Sequence, residues 1–206
     1  MGIASLSLEL QLILVPTILF ALTFHEFAHA RVAYLLGDYT SYYQNRMNLN
    51  PFNHLDPFGT FALYFLGFGW AKPVPVSIQN LQNPKKDMMM IAMAGPASNM
   101  FLAFLASILY RLNFYFQFSE EVIFPLEIFI QINIVLAIFN LLPLNPLDGS
   151  RILPLIVKNP RTLYNIEVYG PRVLIGLIIL NLIGIPILST IILTPVSIIF
   201  YLLTGA

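Results

Sequence analysis

The chain has 206 residues, 58% of them hydrophobic and only 10% charged, with 17 Phe, 10 Tyr and no Cys. Soluble domains devote about a quarter of their residues to charge, so composition excludes an ordinary soluble globule and makes the lipid bilayer the solvent. Ten basic against ten acidic residues give zero formal charge, which removes the electrostatic case for a nucleic-acid partner. The absence of Cys excludes disulfides and thiolate chemistry.

Four apolar stretches, near 8 to 36, 88 to 111, 122 to 142 and 172 to 204, reach the length of about 20 residues that a helix needs to cross the hydrocarbon core. The expected fold is therefore an α-helical polytopic membrane protein with about four transmembrane helices, forming one domain over residues 1–206. The first ten residues carry Glu9 and no basic residue, so they lack the positive region of a cleaved secretory signal. Phe58 to Trp70 is apolar but short and Gly-containing. It reads as a re-entrant or strand-like segment between the first two spans, within a stretch from about Thr40 to Ser77 that is open to two readings, an edge for an extended chain or an ordinary membrane-surface loop. Pro186 and Pro195 interrupt the last stretch, leaving open one kinked span or a span plus an interfacial helix.

Basic residues set the orientation, since Lys and Arg near span ends stay on the cytoplasmic side. Arg46, Lys72, Lys85 and Lys86 fall between spans one and two, and Arg151, Lys158, Arg161 and Arg172 between spans three and four. Arg111 alone falls on the other side. All of these read as topology signals, and Arg31 as a snorkelling side chain. The amino terminus is expected outside.

Within the first span lies His25-Glu26-Phe27-Ala28-His29. At 100° per residue the two imidazoles stand 40° apart, with Glu26 inside the same 100° arc. This is the H-E-x-x-H arrangement, in which two imidazoles one turn apart ligate a tetrahedral zinc and the Glu accepts a proton from water. Burying two His and a Glu idle in hydrocarbon costs on the order of several kcal/mol.

A hydrolytic zinc takes three protein ligands and keeps one open position. The only other His is His54, and the strongest carboxylate candidate is Asp148. It follows Asn140-Leu141-Leu142-Pro143-Leu144-Asn145-Pro146-Leu147 and precedes Gly149. Two prolines three apart prevent regular helix there, and broken backbone at membrane depth is tolerated only beside a wet, protein-lined cavity. Asn133 and Asn140 share one stripe of the third span. An amide aimed at a reacting carbonyl stabilises an oxyanion by about 3 to 4 kcal/mol, and Asn140 is the one assigned that part. Ala92, Gly95, Asn99, Ala103 and Ala106 form a small-residue stripe on the second span, read as helix packing, with a kink at Gly95-Pro96.

Taken in order, these motifs resemble the site-2 protease family of membrane-embedded zinc metalloproteases. They are His25 to His29; Asn50-Pro51 with His54-Leu55-Asp56-Pro57; Gly69-Trp70-Ala71-Lys72-Pro73-Val74-Pro75-Val76; Ala94-Gly95-Pro96-Ala97-Ser98-Asn99; and Asn140 through Asp148-Gly149. The match is to its compact prokaryotic branch, without PDZ or CBS domains. The resemblance implies one Zn2+ per chain held by His25, His29 and Asp148, with Glu26 as general base and later acid and Asn140 holding substrate or oxyanion. It also implies a multi-pass protein of the cell membrane, a site near the cytoplasmic side, and a transmembrane protein or peptide as substrate. A competing reading makes the His/Asp cluster part of a transporter or ion pathway. Against it, the polar groups gather at one depth and no matching pair of broken helices marks two repeats. Oligomeric state is not encoded in any of these motifs.

Overall fold

The computed structural model describes residues 2–205 and is built almost wholly from helix. In chain order these are α1 (Leu8–Leu35), the short α2 (Thr40–Tyr43) and α3 (Pro51–His54), α4 (Pro57–Leu66), α5 (Pro84–Phe116), α6 (Glu120–Asn140), the short α7 (Leu153–Ile156), α8 (Pro160–Leu182) and α9 (Ile187–Thr204). Five of them, α1, α5, α6, α8 and α9, are long and apolar enough to cross a membrane.

Local chemistry sets the ends of these helices. Ser7 caps α1, its hydroxyl accepting from the Leu10 N–H, and Glu9 lies in the first turn, where a negative charge complements the helix dipole. Asn50 and Asp56 cap α3 and α4, each followed by a proline in the first turn, a position where the missing N–H costs nothing. The Asp87 carboxylate reaches back to the Asn83 N–H at the start of α5, 2.8 Å away. At its far end α6 stops at Asn140, and Pro143 and Pro146 keep the chain irregular until a 3-10 turn at Asp148–Ile152.

The α5 helix is central, packed between α1 and α6, and α9 lies against α6. The core between α5, α6 and α9 consists of Ala103, Ala106, Ile130, Ile134, Leu188, Ile192 and Val196. Alanines on α5 let the branched residues of its neighbours approach closely, the usual packing in lipid where apolar burial gives no net drive.

Two expectations are sharpened. The stretch 172 to 204, left open between one kinked span and two helices, holds parts of two, because α8 begins at Pro160 and α9 follows a turn containing Gly184 and Pro186. Arg161, Glu167 and Arg172 lower the apolarity of the first half of α8, and Gly170-Pro171 interrupts its helical pattern, so its start is not visible as an apolar stretch. By length and apolarity alone, the candidate spans among the described residues number five. The segment from Thr40 to Ser77 is not strand-like at its apolar run, since Phe58 to Leu66 is helical. Among the described residues the one bridge of sheet type joins Leu55 to Ala71.

Beyond α4 the chain runs extended from Phe68 to Ser77, held along its length by side chains. Lys72 N–H donates to His54 O at 2.8 Å, and the Arg46 Nη2 donates to Lys72 O and Pro73 O. The Ser41 hydroxyl donates to Pro75 O at 2.6 Å, and Ser77 N–H donates to the Asp38 carboxylate at 2.8 Å. These bonds engage the N–H groups of Lys72 and Ser77 and the carbonyls of Lys72, Pro73 and Pro75. Asp38 is itself buried. Burial opposes its ionisation, but the Thr40 hydroxyl, the Asn80 amide and the N–H groups of Ser77 and Thr40 hold its carboxyl below the usual carboxylate range. Arg46, read from sequence as a topology charge, is 8% exposed and serves as a clamp.

Candidate metal centre

One turn of α1 presents His25 and His29, both buried. The 3-10 turn after α6 brings Asp148 against them from 123 residues away in sequence. One Asp148 oxygen, Oδ2, stands 3.1 Å from His25 Nε2 and 3.2 Å from His29 Nε2. All three ligand atoms lie within 4.8 Å of one another. Gly149 permits this return, because a side chain at that position would overlap the Leu141 and Leu142 carbonyls.

The far nitrogens of the two imidazoles fix what the near ones offer. His25 Nδ1 meets Asn99 Oδ1 at 2.6 Å. The Asn99 amide orientation is set by its other contacts, its NH2 donating to Ala21 O at 3.2 Å and to Asn133 Oδ1 at 2.9 Å. The Asn99 oxygen therefore faces His25 and accepts, which places the imidazole proton on Nδ1. Likewise His29 Nδ1 donates to Ile91 O at 2.7 Å. Both Nε2 lone pairs then point at a carboxylate oxygen, so three acceptors converge without a donor among them. Such a constellation calls for a cation, and its two-imidazole, one-carboxylate set fits zinc.

The α5 backbone leaves room for that cation. Gly95 lies so close that a Cβ there would overlap Nε2 of both His25 and His29. The small-residue stripe read as helix packing thus has a second use: Gly95 forms one wall of the site and Asn99, fully buried, orients one imidazole. An amide on an otherwise small and apolar stripe was the signal available for Asn99. Asn133 completes the chain of amides by donating to Phe129 O at 2.9 Å.

Glu26, 8% exposed, accepts the Val74 N–H on Oε2 at 2.9 Å. His25, Glu26, His29, Asn140 and Asp148 all line one cavity of about 1080 Å³, whose remaining wall is mainly apolar and contributed by α6, α8, α9 and the extended run after α4. Asn140 directs its amide to Leu136 O, 2.9 Å away on its own helix. His54 lies outside the cluster, with Nε2 2.8 Å from Asn48 O.

Known proteins share this chain's pattern. The profile of peptidase family M50 matches residues 114–183. These include Asn140 and Asp148. A Bacillus subtilis (strain 168) protein described as "Putative zinc metalloprotease YwhC" is 45% identical over 152 residues, covering 71% of this chain and 69% of its own length. No solved structure matches. Similarity of that extent, joined to an acceptor set suited to zinc and to several membrane-length helices, gives the assignment: the chain belongs to peptidase family M50, the site-2 proteases, and is a multi-pass zinc metallopeptidase.

Proposed function

We propose that the protein hydrolyses peptide bonds within or near transmembrane segments of other membrane proteins, in the manner of regulated intramembrane proteolysis. The observation that carries this is the convergence of His25, His29 and Asp148 beside Glu26 on the wall of a large, mainly apolar cavity. A mainly apolar wall suits an apolar substrate, and a carboxylate beside the metal ligands suits a general base for hydrolysis.

In this reading the whole chain is one membrane domain, and Nε2 of His25, Nε2 of His29 and the Asp148 carboxylate hold one zinc. Bound there, zinc supplies Lewis acidity to the scissile carbonyl and to water. Glu26 accepts the proton of the attacking water as the new C–O bond forms, and delivers it to the amide nitrogen as the C–N bond breaks. The Val74 N–H occupies Oε2, so proton transfer falls to Oε1. Asn140, on the same cavity wall, turns its amide from Leu136 O toward the substrate carbonyl. The apolar wall limits bulk water around these groups.

The chain crosses the membrane four times in this reading, through α1, α5, α6 and α9, with α8 lying across the cytoplasmic mouth. Support comes from Arg111 near the end of α5, whose guanidinium donates to Leu202 O and Leu203 O at the end of α9. Those two ends share one side, so α9 starts on the side where α6 stops, and α8 connects without crossing. Near its middle, Gly170 abuts Asn145 just beyond α6. With basic residues retained inside, the catalytic groups lie near the cytoplasmic face.

The test is cleavage by the purified chain in liposomes carrying a single-span reporter protein. Product ends read by mass spectrometry are expected inside the span, with cleavage lost to a zinc chelator and restored by zinc. Cleavage confined to the reporter's water-exposed loops, or ion flux without cleavage, overturns the proposal. Removing the imidazole's orienting partner has its own expected result: Asn99→Ala weakens zinc binding about 10- to 100-fold, measured by competition with a chromogenic chelator.

A further inference from the structure

Between Lys72 and Val76 the chain contains Pro73 and Pro75. Proline has no N–H, so Val74 supplies the single backbone donor of 73–75, and that donor goes to Glu26 Oε2. The two carbonyls just before it, Lys72 O and Pro73 O, both accept from one nitrogen, Nη2 of Arg46, at 2.7 and 3.3 Å. Arg46 is 8% exposed, and its Nε has no partner among the described residues. A buried guanidinium that leaves a donor unused is not placed there for its own hydrogen bonding, which costs about 1–3 kcal/mol per unsatisfied group. Burial pushes Arg46 below its ordinary range, while the Glu26 charge acts in the opposite sense, so the two charges are within electrostatic reach.

We propose that Arg46 is a positioning residue for Glu26: by gripping the carbonyls of Lys72 and Pro73 it fixes the Val74 peptide, whose N–H holds one carboxylate oxygen and leaves the other aimed at substrate. A guanidinium suits the task because its rigid plane fixes the direction of both N–H bonds of Nη2, whereas an ammonium is a flexible point charge. The proposal rests on the reading of Glu26 as the base, and adds the device that sets its orientation. Phe68 to Ser77 is then a strap over the site, anchored by Ser41 and Asp38 on one side of Val74 and by Arg46 on the other.

The experiment compares the full-length protein, zinc-loaded and labelled with 15N-valine, with its Arg46→Gln and Arg46→Lys variants. In Arg46→Gln the Val74 amide is expected to exchange with solvent roughly tenfold faster or more, as a locally released hydrogen bond does. The Val196 amide in the α5–α6–α9 core and the zinc content stay unchanged. On a quenched-fluorescent peptide with an apolar core of membrane-spanning length, kcat falls about 10- to 100-fold, the effect of slight misplacement of a reacting group, with KM held within about twofold. Arg46→Lys, which keeps the charge, falls between the two. Unchanged Val74 exchange and kcat in Arg46→Gln overturn the proposal. So does a loss in both variants that tracks zinc release or faster Val196 exchange, which marks a merely structural role. Should the parent fail to cut the peptide, the proteolytic reading is what fails, and Val74 exchange still decides the placement of Arg46.

Discussion

Gly95→Ala is expected to strip the protein of zinc, weakening binding by more than about 100-fold, beyond the range seen when only a supporting partner is lost. The added methyl would overlap Nε2 of His25 and of His29 together. Neither imidazole can retreat, because His25 is tied to Asn99 and His29 to Ile91 O, both on α5 itself. Relief requires α5 to move away from α1, and that motion breaks the two bonds that aim the imidazoles. Gly176→Ala is the matching control. A Cβ there meets nothing within 4 Å, so zinc content holds while helix propensity improves by roughly 0.5–1 kcal/mol. Metal analysis of both purified variants decides the matter, and a Gly95→Ala protein that keeps stoichiometric zinc removes Gly95 from the site.

Glu26→Gln has the opposite signature, with zinc retained and turnover lost. Glutamine is isosteric, and its Oε1 still accepts the Val74 N–H, so the strap and the cluster stay in place. Without a basic oxygen the attacking water keeps its proton, and kcat falls about 10²- to 10⁴-fold, the usual contribution of general acid–base catalysis. The measurement is initial rate on the reporter protein alongside zinc stoichiometry. Activity above a tenth of the parent's rules out Glu26 as the base. Accumulation of uncut membrane stubs in cells that carry the variant would also name the natural substrate.

The groups that sequence made legible are those whose geometry is local. His25, Glu26 and His29 are within one turn of one helix, so their shared face follows from helical pitch alone. The prolines at 143 and 146 and Gly149 likewise announce a broken segment without reference to anything distant. What could not be read was the identity of a neighbour. Gly95 and Asn99 lie on a stripe that any close helix partner would explain, and only the structure shows that the partner is α1 at its histidines. Arg46 satisfied the charge bias of a cytoplasmic loop whether exposed or buried, so its composition held no hint of Lys72 and Pro73. The start of α8 was lost for another reason: Arg161, Glu167 and Arg172 lower apolarity without opposing helix, and a reading by apolarity begins where the charges end. His54 shows the converse. It is the third histidine, but its place in a loop away from the first span reads as structural hydrogen bonding, and its Nε2 is engaged with Asn48 O.

The separation of the donor set along the chain governs when the enzyme can first exist. The ribosome delivers both imidazoles early, on a helix that can insert by itself, but Asp148 lies 123 residues after His25. Until α6 has been threaded and its terminal turn has folded back, a nascent polypeptide presents two neutral nitrogens, too few to retain the ion against cellular competitors. With the proposed ligand set, cofactor capture is a late step in biogenesis, and a half-built chain holds no metal with which to cut.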